Sequence, residues 1–274
     1  MNFSSFVYKL NFDSLRAIFL KILFRKNGLA LSYFKSYNDS SYFVYCVNGD
    51  YLACESINWF VSLRELEKQC YAASLRFYRP QAGDVIVDIG AGLGEEAVVF
   101  SKAVGPSGRV LAVEANPDVN QVLSDIVRLN KISNVDVMNA ALSSNIGNVN
   151  IHHNMEIYLS GSMQKTGDIS KISEVEGFPL SEIVRRFGIE KIDLLKVNIE
   201  GAERFLVEES RPEVFERVRN IAISCHDFRY RKEGFEFFRT KDLISDYFRR
   251  VGFQIQMQST GVDYIDDWIY GARN

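Results

Sequence analysis

Short apolar runs alternate with longer amphipathic segments over most of the chain from residue 84 onward. Five runs have the length and β-branched content of buried strands: "DVIVDIG", "GRVLAVEAN", "VDVMNAAL", "IDLLKVNIE" and "NIAISCHDF". The segments that follow such runs have the apolar spacing of helices: "GEEAVVFSKAV", "PDVNQVLSDIVRLN", "LSEIVRRFG", "GAERFLVEE" and "RTKDLISDYFRRVG". Repeated strand–helix units predict an α/β fold with a Rossmann-like, doubly wound and mostly parallel sheet.

Two further β-rich runs close the chain, "FQIQMQ" and "DDWIYGAR", with only "STGVDYI" between them. A parallel pair needs a longer crossover, so these runs predict a C-terminal antiparallel strand pair. Earlier in the chain, "GNVNIHH" predicts one extra strand. Residues 154–178 are polar and contain glycine, which is typical of a lid over a substrate and equally of a plain surface loop.

The beginning of the chain has a different pattern. "YFVYCVNGDYLACES" places two β-rich runs around Asn48 and Gly49, which tolerate the positive φ of a tight hairpin. A helix is predicted over residues 60–77, and Pro80 and Gly83 then interrupt the pattern. We therefore expect a small N-terminal α+β appendage, residues 1–77, and a main domain, residues 78–274.

Residues 1–36 are locally basic. Their cations are Lys9, Arg16, Lys21, Arg25, Lys26 and Lys35, against Asp13 alone. Their apolar residues include Phe6, Leu10, Leu15, Phe19, Ile22 and Leu23. This pattern indicates an amphipathic helix, and packing on its own domain is the favoured interpretation. The alternative is contact with a membrane surface or a partner protein.

The composition is that of an ordinary soluble globular protein, with 274 residues, 47% hydrophobic and 24% charged. A formal net charge of −3 gives no indication of a nucleic-acid partner. The four cysteines lack C-x-x-C spacing, which favours reduced thiols in a cytoplasmic protein, peripheral to a membrane if the N-terminal helix binds one. Neither a signal peptide nor a membrane span is predicted, and no pattern determines the oligomeric state.

The turn "VDIGAGLGEEA" carries Gly90, Gly92 and Gly94 between the first strand and the first helix of the sheet. Ligands of doubly wound sheets bind at the carboxyl ends of the strands, where such a turn lies. The spacing differs from the dinucleotide fingerprint G-x-G-x-x-G, and Glu95 and Glu96 would repel a pyrophosphate. These features favour S-adenosylmethionine, a nucleoside with a positive sulfonium and no phosphate.

Three other residues at strand ends are candidate cofactor ligands. Glu114, 20 residues after Gly94, is placed to accept hydrogen bonds from ribose hydroxyls. Asp88 is expected to orient the loop or to meet the ammonium of the methionine part. Asn139 is expected to bond the adenine amino group beside the small Ala140, or alternatively to close the strand by a local turn bond.

The stretch "DLLKVNIEGAE" aligns Lys196, Asn198 and Glu200 on one face of a central strand. Polar groups there need partners or water, which the carboxyl-end cleft provides. The alternative is local: Asn198 or Glu200 caps the next helix, and Lys196 pairs with Glu203 or Asp193.

A histidine ends the next strand. In "SCHDF", His226 precedes Asp227, and it should lie beside Glu200 if the two strands are neighbours. Histidine titrates near neutrality, so His226 is a candidate general base, or alternatively a structural hydrogen-bond donor.

In their order, "GDVIVDIGAGLGEEAVVFSK", "VLAVEANP", "MNAALS" and "IDLLKVNIEGAE" resemble the blocks of the FkbM family of S-adenosylmethionine-dependent methyltransferases, over residues 78–228. The resemblance implies a cofactor site lined by Asp88, Gly90, Ala91, Gly92, Glu114, Ala115, Asn116, Asn139, Ala140 and Asn198. It also implies that Asn198, Glu200 and His226 face the methyl group and the acceptor.

Two residues depart from the family pattern. Asn198 stands where the family has an acid, and Ser181 stands where an Asp is common. An amide is a poorer magnesium ligand than a carboxylate, so a divalent metal is not favoured, although Glu200, His226 and Asp227 offer ligand atoms.

The resemblance implies an O-methyltransferase that acts on a hydroxyl of a sugar, glycan or secondary metabolite. The alternatives are an N-directed or metal-dependent methyltransferase, and a non-catalytic module that binds an adenosine cofactor and presents a basic N-terminal helix.

Overall fold

The computed structural model describes residues 13–26, 29–37, 42–56, 60–154, 162–164, 169–209 and 211–273. The strands, in chain order, are β1 (Leu31–Tyr37), β2 (Tyr42–Val47), β3 (Asp50–Cys54), β4 (Val85–Ile89), β5 (Arg109–Glu114), β6 (Val135–Asn139), β7 (Ala141–Leu142), β8 (Gly147–Asn154), β9 (Ile169–Phe178), β10 (Ile192–Val197), β11 (Val218–Ser224), β12 (Gln254–Met257) and β13 (Trp268–Ala272).

The α-helices are α1 (Asp13–Lys26), α2 (Leu63–Ala72), α3 (Glu95–Val104), α4 (Pro117–Leu129), α5 (Leu180–Arg186), α6 (Asp227–Glu233), α7 (Lys241–Arg250) and α8 (Asp263–Asp266). Short 3₁₀ helices cover Ala202–Leu206, Pro212–Arg217 and Glu236–Phe238.

A seven-stranded sheet forms the centre of the molecule, in the order β12-β13-β11-β10-β4-β5-β6. β11, β10, β4, β5 and β6 are parallel, while β13 runs antiparallel to both β11 and β12. The predicted α/β fold and its C-terminal antiparallel pair are therefore confirmed. The register sets Lys196 of β10 directly opposite Asp88 of β4, which puts both side chains on the same face of the sheet.

The helices pack on the sheet through apolar stripes of helical period. In α4 the buried residues are Val119, Val122, Leu123 and Ile126. The helix begins with Pro117, and the side chain of Asn116 caps it by accepting a hydrogen bond from the Asp118 amide at 3.0 Å.

The N-terminal region contains the predicted hairpin. β2 and β3 pair antiparallel around Asn48 (φ +56°) and Gly49 (φ +96°). α2 is shorter than predicted over residues 60–77, because Ser62 caps its start and the chain leaves the helix after Ala72. Side chains of this region, among them Leu52, pack in one apolar cluster with Ile86 of the central sheet. The boundary near residue 78 stays a prediction.

The first helix, α1, packs on its own domain through Leu20, which is fully buried. Leu15, Ile18 and Ile22 are 42%, 54% and 57% exposed and share the opposite side of the helix. Contact between this stripe and a membrane stays a prediction. Phe6, Leu10, Lys9 and the side chains of Arg16, Leu23 and Lys26 lie outside the described residues. Among the helices that the structure describes, none is both long and apolar enough to cross a bilayer.

Two segments have a different secondary structure from the one predicted. β9 occupies residues 169–178 of the predicted lid and pairs with β7 and β8, because Ser173 and Val175 are buried while Glu174 and Glu176 are exposed, a strand period. Residues 155–161 and 165–168 of that segment lie outside the described part. "GAERFLVEE" forms a 3₁₀ helix over Ala202–Leu206 instead of an α-helix.

A testable consequence concerns Gly90, which has φ +81° and faces the backbone of β10 so closely that an added Cβ would overlap the Asn198 carbonyl oxygen. Gly92 also has positive φ (+56°), but nothing lies within 4 Å of an added Cβ. We expect Gly92→Ala to lower the free energy of unfolding by about 1–2 kcal/mol from backbone strain alone. Gly90→Ala should cost about 1–3 kcal/mol more because of the overlap. Urea unfolding followed by circular dichroism measures both, and equal losses would contradict the close approach.

Candidate active site

A cleft lies at the carboxyl ends of β4, β5 and β10, where the doubly wound topology predicts a ligand. Its lining residues are Ile89, Gly90, Val113, Glu114, Ala115, Ala140, Ala141, Leu142, Ile151, Met163, Asn198, Ile199, Glu200 and Ala202. Among the predicted site residues, Gly90, Glu114, Ala115, Ala140, Asn198 and Glu200 line this cleft. A second, wider depression at the amino ends of β10 and β11 is lined by charged residues such as Arg211 and Arg217, and holds none of them.

Lys196 is buried next to the glycine loop, with 1% of its surface exposed. Its Nζ lies 2.8 Å from Asp88 Oδ1 and 3.0 Å from Glu96 Oε2, and it donates to the Gly90 carbonyl oxygen at 2.9 Å. The three ammonium protons therefore match three acceptors. Burial lowers the pKa of Lys196, but the two carboxylates outweigh it and raise the pKa above its usual value. The local alternative, in which Lys196 pairs with Glu203 or Asp193, does not occur, because the β4–β10 register turns this side chain towards the glycine loop.

Asp88 lies beneath the glycine loop and not in the cleft lining, and its side chain is fully buried. Burial raises its pKa to about 6 against the opposing effect of Lys196. Its second oxygen, Oδ2, has no hydrogen-bond partner within the described part of the chain. These contacts favour the first of its two predicted roles, which is to orient the loop.

Glu114 ties the glycine loop to the end of β5. Its Oε2 accepts from the Gly92 amide at 3.0 Å and its Oε1 accepts from the Asn116 amide at 2.8 Å. Burial raises the pKa of Glu114. The carboxylate lines the cleft and has further lone pairs, so it remains able to accept hydrogen bonds from a ligand.

Three predicted cofactor residues make local contacts instead of lining the cleft. Asn139 Nδ2 donates to the carbonyl oxygens of Glu114 at 2.8 Å and Ala115 at 3.0 Å, which is the local alternative considered for it. Asn116 caps α4. Ala91 is buried in a small apolar cluster with Leu123, and its amide donates to the Val113 carbonyl at 3.0 Å. Gly92 also falls outside the lining and is held by Glu114.

Because β10 and β11 are neighbours, His226 lies beside Glu200 as predicted, with Nε2 3.5 Å from Glu200 Oε1. Its other ring nitrogen, Nδ1, lies 2.7 Å from Glu203 Oε1. The ring is only 2% exposed. Burial lowers the pKa of His226, but Glu203 and Glu200 outweigh it and raise the pKa to about 10. Both nitrogens thus face carboxylates, and the ring is protonated near neutral pH, which argues against the predicted role of general base.

Arg229 and Glu203 complete this group, and sequence reasoning missed both. Arg229 Nη1 lies 2.6 Å from Glu200 Oε2, and its guanidinium sits 4.0 Å over the ring of Phe238. Glu203 is fully buried and accepts hydrogen bonds from the amides of Ile199 and Gly201. The sequence signal for both was spacing. Arg229 stands three residues after His226, and Glu203 stands three residues after Glu200, each at the start of a helical turn.

Glu200 is held ionised by these cations. Burial raises its pKa, but His226 and then Arg229 outweigh it and lower the pKa to about 2. Its backbone has φ +54°, an uncommon conformation for a residue with a side chain, and Ser162 donates to its carbonyl oxygen at 3.1 Å. Strained backbone of this kind clusters at functional sites.

Asn198 lines the cleft, and its amide donates to the Ile89 carbonyl at 2.9 Å. The other departure from the family pattern, Ser181, donates through its amide and hydroxyl to Glu209 and lies outside this cleft. Within the described ranges, no group of three or more His, Cys, Asp or Glu side chains is arranged to hold a metal. Asp227 instead accepts hydrogen bonds from the amides of Thr240 and Lys241 at the start of α7.

Known proteins resemble this chain in sequence and fold. Residues 88–255 match the family model described as the methyltransferase FkbM domain. The curated relative "Methyltransferase sdnD" of Sordaria araneosa is 28% identical over 169 residues, which cover 50% of this chain and 64% of that protein. The chain therefore spans less than two thirds of the length of that relative.

Two solved structures are similar at low identity. The methyltransferase FkbM of Methylobacillus flagellatus has 18% identity and a TM-score of 0.48, covering 69% of this chain and 43% of that one. Fibrillarin of Aeropyrum pernix, solved with bound S-adenosyl-L-methionine, has 17% identity and a TM-score of 0.47, covering 89% and 100%. The family match covers more than half of the sequence and includes the end of β4, the glycine loop, Glu114 and Glu200. This chain belongs to the FkbM methyltransferase family.

Proposed function

We propose that this protein transfers a methyl group from S-adenosylmethionine to a hydroxyl of a sugar, glycan or secondary metabolite. The observation that supports it best is the charge of the cleft. Its lining includes two acids, Glu114 and Glu200, and none of the described lining residues is Lys, Arg or His. The nearby Lys196 is already matched by three protein acceptors. Such a cleft attracts a cationic ligand and disfavours phosphates.

The residues of the cleft fit the parts of this cofactor. Glu114 has lone pairs for ribose hydroxyls, and Ala140 and Ala141 leave room for a flat ring. Asn139 is not among the lining residues, but it donates both of its contacts through Nδ2, so its Oδ1 is the atom that would accept from an adenine amino group. When bound, S-adenosylmethionine supplies an electrophilic methyl group on a positive sulfur.

Glu200, and not His226, is the proposed hydrogen-bond acceptor for the substrate hydroxyl. It is ionised, lines the cleft, and is fixed by His226 and Arg229. A carboxylate of low pKa suffices, because the hydroxyl proton becomes strongly acidic once its oxygen has gained the methyl group. Asn198, next to it on the same face of the strand end, is proposed to orient the cofactor or the substrate. Holding the hydroxyl near the methyl group is the main contribution of the protein.

Cofactor binding gives a direct prediction. Isothermal calorimetry should show that the protein binds S-adenosylmethionine and does not bind NADH. Glu114→Gln should weaken binding by about 10-fold or more, the loss of a hydrogen bond to a charged group. Glu176→Gln, an exposed acid on β9, is the matched control and should bind like the wild type. Tight NADH binding without S-adenosylmethionine binding would contradict the proposal.

The chemical step gives a second prediction. With a panel of monosaccharide, glycan and alcohol acceptors, Glu200→Gln should reduce release of S-adenosylhomocysteine by about 100-fold or more. Because Glu200 is one of the two acids that line the cleft, the cofactor affinity of this variant should also fall, but only about 10-fold or less, and Glu208→Gln, an exposed acid, should behave like the wild type. Turnover by Glu200→Gln at the wild-type rate would contradict the role of Glu200.

Transfer only to amines, or only with a divalent ion, would favour the N-directed or metal-dependent alternative. Cofactor binding without turnover would favour the non-catalytic one.

The protonation of His226 predicts a pH-dependent stability. Its folded-state pKa of about 10 lies above the unfolded value of about 6.5, so its contribution is complete below about pH 6.5 and is lost as the pH rises through about 10. The loss of unfolding free energy in His226→Gln should therefore be larger near pH 6 than near pH 10. Urea unfolding at both pH values measures this difference. If the loss of unfolding free energy did not change with pH, His226 would again be a candidate general base.

A further inference from the structure

A partly buried hydrogen bond joins the N-terminal region to the helix that follows the glycine loop. Ser74, in the turn after α2, is fully buried, and its hydroxyl donates to Glu96 Oε1 in the first turn of α3. The other oxygen of the same carboxylate, Oε2, lies 3.0 Å from Lys196 Nζ. Ser74 and Lys196 thus hold the two oxygens of one side chain.

The connection continues to the loop itself. Lys196 donates to the Gly90 carbonyl, so three side chains link the turn at Ser74 to the backbone of the glycine loop, and Asp88 is a further partner of Lys196. Each member is buried or partly buried, and an ammonium with three acceptors cannot turn without leaving one of them unpaired. The position of Glu96 therefore affects the position of Gly90.

The Ser74 hydroxyl affects how the carboxylates of this group share one ammonium. Two carboxylates, Asp88 and Glu96, share one ammonium. For Glu96, burial raises the pKa, but Lys196, Ser74 and Cys70 together lower it below its usual value. Without the hydroxyl, Glu96 would depend more on Lys196 and would draw the ammonium away from Gly90.

We propose that Ser74 is a positioning residue for the cofactor loop, acting through Glu96 and Lys196. This inference rests on the proposed function, since it assigns part of the cofactor site to the N-terminal region. Residues 63–77 then complete the methyltransferase site and are more than a separate appendage.

The experiment is calorimetric titration of the full chain with S-adenosylmethionine. Ser74→Ala should raise the dissociation constant about 5- to 10-fold, less than the loss of one hydrogen bond to a charged group, because Ser74 acts on the loop only through Glu96 and Lys196. Ser74→Thr keeps the hydroxyl, and a small cavity lined by Ser74, Phe77 and Tyr270 accommodates the added methyl, so it should bind within about two-fold of wild type.

The matched control is Ser101→Ala. Ser101 is also buried and also donates to a side chain, Asn134 Oδ1 at 2.6 Å, but at the far end of α3 from the loop. This variant should lose stability and keep its affinity. In a Lys196→Met background, Ser74→Ala should have no further effect on the dissociation constant, because the connection is already broken.

The outcomes separate the two claims. A wild-type protein that does not bind S-adenosylmethionine overturns the proposed function. A wild-type protein that binds, with Ser74→Ala binding equally tightly, overturns only the role of Ser74. Equal weakening in Ser74→Ala and Ser101→Ala, failure of Ser74→Thr to restore affinity, or an undiminished effect in the Lys196→Met background would each show a general loss of packing and also overturn it.

Discussion

The buried ammonium of Lys196 is the contact on which the fold and the site both depend. An unpaired charge in the interior costs several kcal/mol, so the side chain must find acceptors. The parallel register of β4 and β10 supplies Asp88 directly opposite it, and the loop after β4 supplies the Gly90 carbonyl. The same interaction therefore fixes the pairing of two central strands and the conformation of the loop at their carboxyl ends.

A second charged group lies at the end of β10, where Glu200 lines the cleft. His226, Arg229, Glu203 and Glu200 pair with one another at the ends of β10 and β11. In both groups the cations pair with carboxylates of the protein and do not line the cleft, whereas Glu114 and Glu200 do line it. The resulting cavity is acidic without an available cation among its described lining residues, which supports a positively charged cofactor and an ionised group beside its acceptor.

Periodicity alone predicted the sheet, the order of its elements and the edge that carries the cleft, because strand–helix alternation restricts the topology. It also predicted that Glu200 and His226 meet, since each ends a neighbouring strand. It could not predict the partners of Lys196, because they depend on the register between β4 and β10. Lys196 and Gly90, the donor and the acceptor of one contact, are 106 residues apart in the sequence. The raised pKa of His226 was missed because Glu203 was considered as a partner of Lys196 and not of His226, whose Nδ1 lies 2.7 Å from its carboxylate. The sequence also could not show that Asn116, Asn139 and Ala91 make local contacts with nearby backbone groups, and their role at the cofactor stays a prediction.

The measurement that tests this account most directly is a crystal structure of the protein with S-adenosylhomocysteine. The account predicts ribose hydroxyls on the Glu114 carboxylate, the adenine beside Ala140, the sulfur on the side of the cleft where Glu200 lies, and the three contacts of Lys196 unchanged. A ligand whose ribose lies away from Glu114, or whose sulfur points away from Glu200, would contradict it.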